Sequence, residues 1–159
     1  MTDNTDIPTL RRILAESRTI AMVGLSANWH RPSNFAAKYL LDHGYRVIPV
    51  NPSYQEVLGQ KCYPKLADIA DPVDVVDCFR RAEDIPPLAR EAIEIGAKVL
   101  WMQLGVVHEE SAALCREAGL EVVMDRCMKI EYARLFGGLG FVGVNTRVIS
   151  AKRPLQVPT

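Results

Sequence analysis

Thr19-Ile-Ala-Met-Val-Gly-Leu-Ser-Ala-Asn-Trp-His-Arg-Pro-Ser-Asn34 changes character at Gly24. Before the glycine the run is short, apolar and rich in β-branched residues, the pattern of a buried strand. After it comes a polar loop feeding Phe35-Ala-Ala-Lys-Tyr-Leu-Leu41, where Phe35, Tyr39 and Leu40 are expected to share one helical face. A strand, a glycine turn and a helix N-terminus in succession make a place where anions collect. The first helical turn leaves backbone N–H groups unpaired, and the helix dipole adds about half a positive charge there. Ser26, Ser33 and Asn34 offer further donors and Arg31 a fixed charge. A phosphate-bearing ligand is expected at this turn.

Downstream, the chain three times runs from a periodic helix through a glycine directly into a β-branched strand. The junctions are His43-Gly44-Tyr-Arg-Val-Ile-Pro-Val50, Ile95-Gly96-Ala-Lys-Val-Leu-Trp-Met102 and Ala118-Gly119-Leu-Glu-Val-Val-Met124. A glycine ends a helix readily because it enters the left-handed conformation without a Cβ clash. The strands that follow are apolar on both faces, as in a parallel sheet covered on each side. A further strand, Val73 to Phe79, precedes a helix expected over Pro87 to Ile95, with Leu88, Ala92 and Ile95 in a stripe. Alternation at this spacing predicts a βαβ series: an α/β, Rossmann-like, doubly wound parallel sheet of about five strands in a three-layer α/β/α arrangement.

The remaining segments are placed around that series. Met1 to Asp6 reads as frayed, and Ile7 to Glu16 as a leading helix with Pro8 in its first turn. An edge strand is expected near Lys61 to Tyr63 and a helical turn near Lys65 to Ile69. Cys127 to Phe136 reads as a closing helix capped by Asp125, and residues 137–159 as an arm packed back on the domain. The 159 residues are read as a single domain.

The formal net charge is zero, so no overall basic field draws in nucleic acid or an anionic membrane, and any anion site must be built locally. The apolar runs are far shorter than a membrane span, and the acidic N-terminus lacks the basic start of a signal peptide. Cys62, Cys78, Cys115 and Cys127 are scattered, without metal or redox spacing, which fits a reduced, cytoplasmic setting. His30, His43 and His108 form no metal-ligand pattern, and no nucleophilic triad is readable.

In parallel α/β sheets ligands bind at the carboxyl ends of the strands. That rule selects Gly24, Ser26, Arg31, Pro32 and Ser33 after the first strand, and Asn51 and Pro52 after the second. It also selects Arg80 and Arg81, then Gln103, Leu104 and Gly105, and finally Asp125, Arg126 and Cys127. Arginine recurs in these loops although the chain is neutral, and its planar fork suits phosphate oxygens. Plainer readings stand beside these. Arg80 and Arg81 precede Glu83 and Asp84 and could form a solvated charge cluster; Gly105 could serve a tight turn; Arg126 could pair with Glu131.

A nicotinamide site of the usual kind requires G-x-G-x-x-G and an acid after the second strand. Here the turn reads Gly24-Leu-Ser-Ala-Asn-Trp29, and the second strand runs into Asn51-Pro52. Both departures count against a dinucleotide, and no phosphate loop ending in Gly-Lys-Ser/Thr follows a strand.

Val23-Gly-Leu-Ser26, Arg31-Pro-Ser33, Val47-Ile-Pro-Val-Asn-Pro52, Val73-Asp-Val-Val-Asp-Cys-Phe-Arg-Arg81, Trp101-Met-Gln-Leu-Gly-Val106 and Val122-Val-Met-Asp-Arg-Cys127 occur in that order. Together they resemble the small stand-alone CoA-binding domain proteins, which are similar in fold to the N-terminal domain of the succinyl-CoA synthetase α subunit. The resemblance spans roughly residues 10–136. It implies coenzyme A or an acyl-CoA across the strand ends. Ser26, Arg31 and Ser33 would serve the phosphates, Val50, Asn51 and Pro52 would border the nucleotide, and Phe79, Arg80 and Arg81 would flank the next strand end. Gln103 and Gly105 would lie along the pantetheine. The ligase keeps its phosphorylated histidine outside this domain, so CoA binding carries over and ligation does not. A binding module is therefore the leading expectation. A CoA-dependent enzyme using Cys127 or Asp125, a nicotinamide-binding protein, and a subunit that docks on a protein partner are the alternatives.

Overall fold

The computed structural model describes residues 6–137. In chain order its elements are helix α1 (Ile7–Glu16), strand β1 (Thr19–Val23), α2 (Pro32–Asp42), β2 (Arg46–Val50), β3 (Glu56–Val57), β4 (Gln60–Lys61), β5 (Val75–Cys78), α3 (Ile85–Glu94), β6 (Val99–Met102), α4 (Glu109–Glu117), β7 (Glu121–Val123) and α5 (Met128–Phe136). Each expected helix–glycine–strand junction is present, with Gly44, Gly96 and Gly119 all at positive φ.

The main sheet has the order β2-β1-β5-β6-β7 and is parallel throughout. From β1 the chain steps outward to β2, then crosses back to lay β5 on the other flank of β1. The strand order therefore reverses beside β1, where the loops leaving neighbouring strands diverge and open a crevice. Register aligns the strand ends: Val23 is level with Val50 and Cys78, and Cys78 with Met102. The loops after β1, β2, β5 and β6 consequently emerge side by side at one edge.

Helices cover both faces of the sheet. On one side Ala21, Val76, Leu100 and Val122 pack with Ile85, Ala89 and Ala92 of α3 and with Ala112 and Cys115 of α4. On the other, Ile20, Met22, Val75 and Trp101 pack with Leu10, Ile13 and Leu14 of α1, Ala36, Ala37 and Leu40 of α2, and Met128 of α5. This is the three-layer arrangement that the doubly apolar strands predict.

Several details differ from expectation. On α2 the buried residues are Ser33, Asn34, Ala36, Ala37 and Leu40, while Phe35 is half exposed. Small alanines let the helix sit close to the sheet, which turns the bulky Phe35 outward. The expected edge strand at 61–63 is instead a short antiparallel hairpin of β3 and β4, with Tyr63 bridging Val50. Helix α3 starts at Ile85, ahead of the expected Pro87, because Pro86 and Pro87 fit its first turn, where no N–H is needed. Helix α5 begins at Met128 with Cys127 at the cap position, so Asp125 is not its cap. The expected arm lies outside the described residues beyond Gly137, as does the leading segment before Asp6.

Candidate functional site

Gly24 is held at φ +89°, and its N–H donates to the Val50 carbonyl at 2.8 Å. A Cβ at this position would lie closer to the Phe79 carbonyl oxygen than real Cβ atoms come, and 3.0 Å from Cδ of Arg80. The first residue after β1 is thus wedged between the chains leaving β2 and β5. Only glycine satisfies both the backbone conformation and the close approach.

From Gly24 the loop folds back on the start of α2. The Ser26 N–H donates to Oγ of Ser33 at 3.0 Å, and the Asn34 side-chain amide donates to the Ser26 carbonyl at 2.9 Å. The Asn28 N–H donates to Oγ of Ser26. Asn34 therefore shapes the loop. Both serine oxygens act as acceptors here and each hydroxyl keeps a proton to donate; Ser26 is half-buried and Ser33 is buried. Asn51 braces the loop from β2: its side-chain amide donates to the Leu25 carbonyl at 3.1 Å, and its Oδ1 accepts from the Ser53 N–H at 2.9 Å. Pro32 opens α2, no side chain caps that helix start, and Arg31 is exposed beside it. Pro52 is exposed next to Asn51, and Val50 is buried as the last residue of β2.

Beside this loop lies a crevice of about 870 Å³. Of the residues selected from the sequence it brings together Pro32, Phe79, Arg80, Arg81, Gln103, Leu104 and Gly105. Gly24, Ser26, Arg31, Ser33, Val50, Asn51 and Pro52 border the same sheet edge without lining the crevice. Arg80 pairs with Asp84 at 3.2 Å, and Arg81 with Glu83 and Asp84 at 3.5 Å. The plainer reading of a charge cluster thus describes these arginines as they stand. Such exposed pairs are worth about 0–1 kcal/mol, so a polyphosphate can compete for the guanidinium groups.

Gln103 to Val106 form a tight turn, with the Val106 N–H donating to the Gln103 carbonyl at 2.8 Å and Gly105 at φ +87°. Asp125, itself at positive φ, accepts the Gly105 N–H through Oδ1 at 2.7 Å and so ties this turn to the end of β7. Arg126 is drawn toward α5 by the buried Glu131 at 3.6 Å, and its carbonyl accepts from Nε1 of Trp101 at 2.8 Å. Arg126 thus shares its carboxylate with Arg134 and stands away from the crevice.

Leu104, which the strand-end rule also selects, stands at the tip of the Gln103–Val106 turn, exposed, and lines the crevice. Two features were not evident from the sequence. One end of the Gln103 amide is buried without a protein partner, inside a loop that faces the crevice. Asp77, in the middle of β5 between Met22 and Trp101, is fully buried with neither carboxylate oxygen bonded, and burial pushes its pKa up to about 8. The only sequence signal for Asp77 was an acid set inside a run of valines.

All four cysteines are buried and unpaired, and burial raises the thiol pKa of Cys115 to about 11. Among the described residues no cluster of His, Cys, Asp or Glu could hold a metal ion, and no helix is long and apolar enough to cross a membrane.

Comparison with known proteins places this geometry in a family. The model of the CoA binding domain matches residues 18–133. The uncharacterized protein YneT of Bacillus subtilis is 43% identical over 124 residues, covering 78% of this chain and 92% of YneT. The solved structure of a hypothetical protein from Pyrococcus horikoshii superposes with a TM-score of 0.82 at 44% identity, covering 85% of this chain and 95% of that one. ADP-forming acetate–CoA ligase II of Archaeoglobus fulgidus is 31% identical over 94 residues, 58% of this chain and only 14% of the ligase. A match over most of the parallel sheet and every strand-end loop settles the assignment: the chain belongs to the CoA-binding domain family and is a module related to the one carried by ADP-forming acetate–CoA ligases.

Proposed function

We propose that this protein binds coenzyme A, free or acylated, across the carboxyl edge of its sheet, as a binding module. The pyrophosphate sits against the β1–α2 loop, where the start of α2, the hydroxyls of Ser26 and Ser33, and Arg31 converge. The nucleotide end lies toward Val50, Asn51 and Pro52. The pantetheine runs through the crevice past Phe79, Arg80 and Arg81 to Gln103 and Gly105. Arg126, held by Glu131, is a peripheral contributor through the charge it adds to that edge.

The observation that carries the reading is the position of Gly24. A site for a flat, polyphosphate-bearing ligand needs backbone N–H groups exposed at a helix start and no side chain in the way. Gly24 supplies the second by letting the β1 turn press against the β5 loop, and the uncapped start of α2 supplies the first. The residues also fit the ligand's other end. Gln103 lines the crevice, and its unpartnered Oε1 is an acceptor suited to a pantetheine amide N–H, since a buried polar group without a partner is costly.

The acetate–CoA ligase is far longer than this chain, so ligation is not part of the proposal. The buried free thiols fit a reducing compartment, and we place the protein in the cytoplasm. A protein partner that receives the ligand is compatible with this role.

Calorimetry of the full chain with CoA and, in parallel, NADH tests the reading. The expected result is saturable one-to-one binding of CoA and none of NADH. Absence of binding by CoA and by acetyl-CoA would overturn it.

A further inference from the structure

A second cavity, of about 690 Å³, lies between α2 and α5 and is lined in part by Phe35, Tyr39, Leu104, Cys127 and Ile130. It shares Pro32, Gln103 and Leu104 with the crevice described above, so the two run into each other around the Gln103–Leu104 turn. We infer that this cavity is the seat of an apolar acyl group, and that the ligand is an acyl-CoA whose acyl chain is longer than acetyl. The inference rests on the CoA reading and extends it from the carrier to its cargo.

The lining decides the chemistry. Phe35 is 50% exposed, Leu104 60% and Ile130 46%, three large apolar side chains from three elements kept in solvent around one concavity. The fold does not need them there. Ala36, Ala37 and Leu40 pack α2 on the sheet, and Met128 packs α5. Lone exposed apolar residues are ordinary, but a concave group of them marks a binding surface. Lys38, Asp42 and Lys129 also line this cavity, so it is an apolar groove with ionic groups around it and not a cationic pocket built for phosphate. Its volume falls within the range of small-ligand sites.

Continuity decides the occupant. In the CoA reading the pantetheine ends near Gln103 and Gly105, which puts the thiol at the turn shared by both cavities. A group attached to that sulfur meets the α2–α5 cavity first. An acetyl group offers one methyl to this lining, whereas a chain of several methylenes offers apolar surface to side chains from all three elements.

Calorimetry of the full chain with CoA, acetyl-CoA, butyryl-CoA and hexanoyl-CoA is the test. Burial of apolar carbons strengthens binding by up to about fourfold per methylene. Hexanoyl-CoA is therefore expected to bind at least about tenfold more tightly than acetyl-CoA. Ile130→Glu and Phe35→Ser, both at exposed positions, are each expected to cut the ratio of hexanoyl-CoA to CoA affinity severalfold. Equal affinity across the series overturns the inference and leaves the CoA reading standing. Failure of every member to bind overturns the CoA reading itself. A chain-length preference untouched by both substitutions overturns the location. Light scattering supplies a further arm: self-association abolished by Ile130→Glu, with no chain-length preference, would assign the groove to a second copy and overturn the acyl site.

Discussion

The carbonyl oxygen of Phe79 occupies the space in which a Cβ on Gly24 would have to stand. That contact joins the end of β1 to the end of β5 at the point where strand order reverses. Gly24→Ala should therefore act twice. The methyl group collides with backbone, and φ +89° strains any L-residue. The expected cost is about 1–3 kcal/mol of stability, read by thermal or denaturant unfolding, together with a large loss of CoA affinity.

Arg80 and Arg81 are expected to act in the opposite sense, weakly on the fold and strongly on the ligand. Their ion pairs with Glu83 and Asp84 are exposed. Arg80→Ala should leave the melting temperature nearly unchanged but weaken CoA binding by about 1–3 kcal/mol, the scale of a charged hydrogen bond. Arg31→Ala is expected to do the same. Calorimetry at two salt concentrations checks both, since the wild-type affinity should fall with salt more steeply than that of either variant.

Asn51 tests how much the brace from β2 contributes to the β1–α2 loop. Removing its amide frees the Leu25 carbonyl and breaks the turn at Ser53. Asn51→Ala should cost about 1–2 kcal/mol of stability and loosen CoA binding, while Asn51→Asp should restore the Ser53 turn alone. Denaturant unfolding and calorimetry of the two variants separate the bracing bond from the turn.

Asp77 governs a pH dependence of stability. Its carboxyl has an ordinary value of 3.8 and is pushed up to about 8 by burial. Between those values the folded protein keeps a proton that the unfolded chain has lost. Stability from this group is therefore full below the lower value, declines as pH rises, and levels off above about 8. Asp77→Asn should flatten that decline, adding on the order of a few kcal/mol near the upper end and little at the acid end. Unfolding midpoints across this range check the sign. A wild type that gains stability with pH there, relative to the variant, would contradict it.

The sheet was legible because its signals are local. A glycine that ends a helix and a β-branched run that follows it sit within a few residues of each other, and the junctions at Gly44, Gly96 and Gly119 came out as read. The strand-end loops were legible for a topological reason: parallel strands send all their carboxyl ends to one edge. What stayed hidden depends on contacts between distant segments. Periodicity put Phe35 on one helical face with Tyr39 and Leu40, but Leu40 is buried while Phe35 is turned out because Ala36 and Ala37 take the sheet. Asp125 looked like a helix cap and instead holds the Gly105 turn, a partner twenty residues away. The hairpin at Glu56 to Lys61 has strands of two residues, too short to leave a period in the sequence. The α2–α5 cavity exists only once both helices are laid on the sheet.

An amide NMR titration of the full chain with CoA tests the central claim most directly, because it reports the ligand's position residue by residue. The largest shifts are expected on Gly24, Ser26, Ser33, Phe79, Arg80, Gln103 and Gly105, all saturating together. Shifts confined to the opposite edge, around Ser17, Gly44 and Lys98, would contradict it.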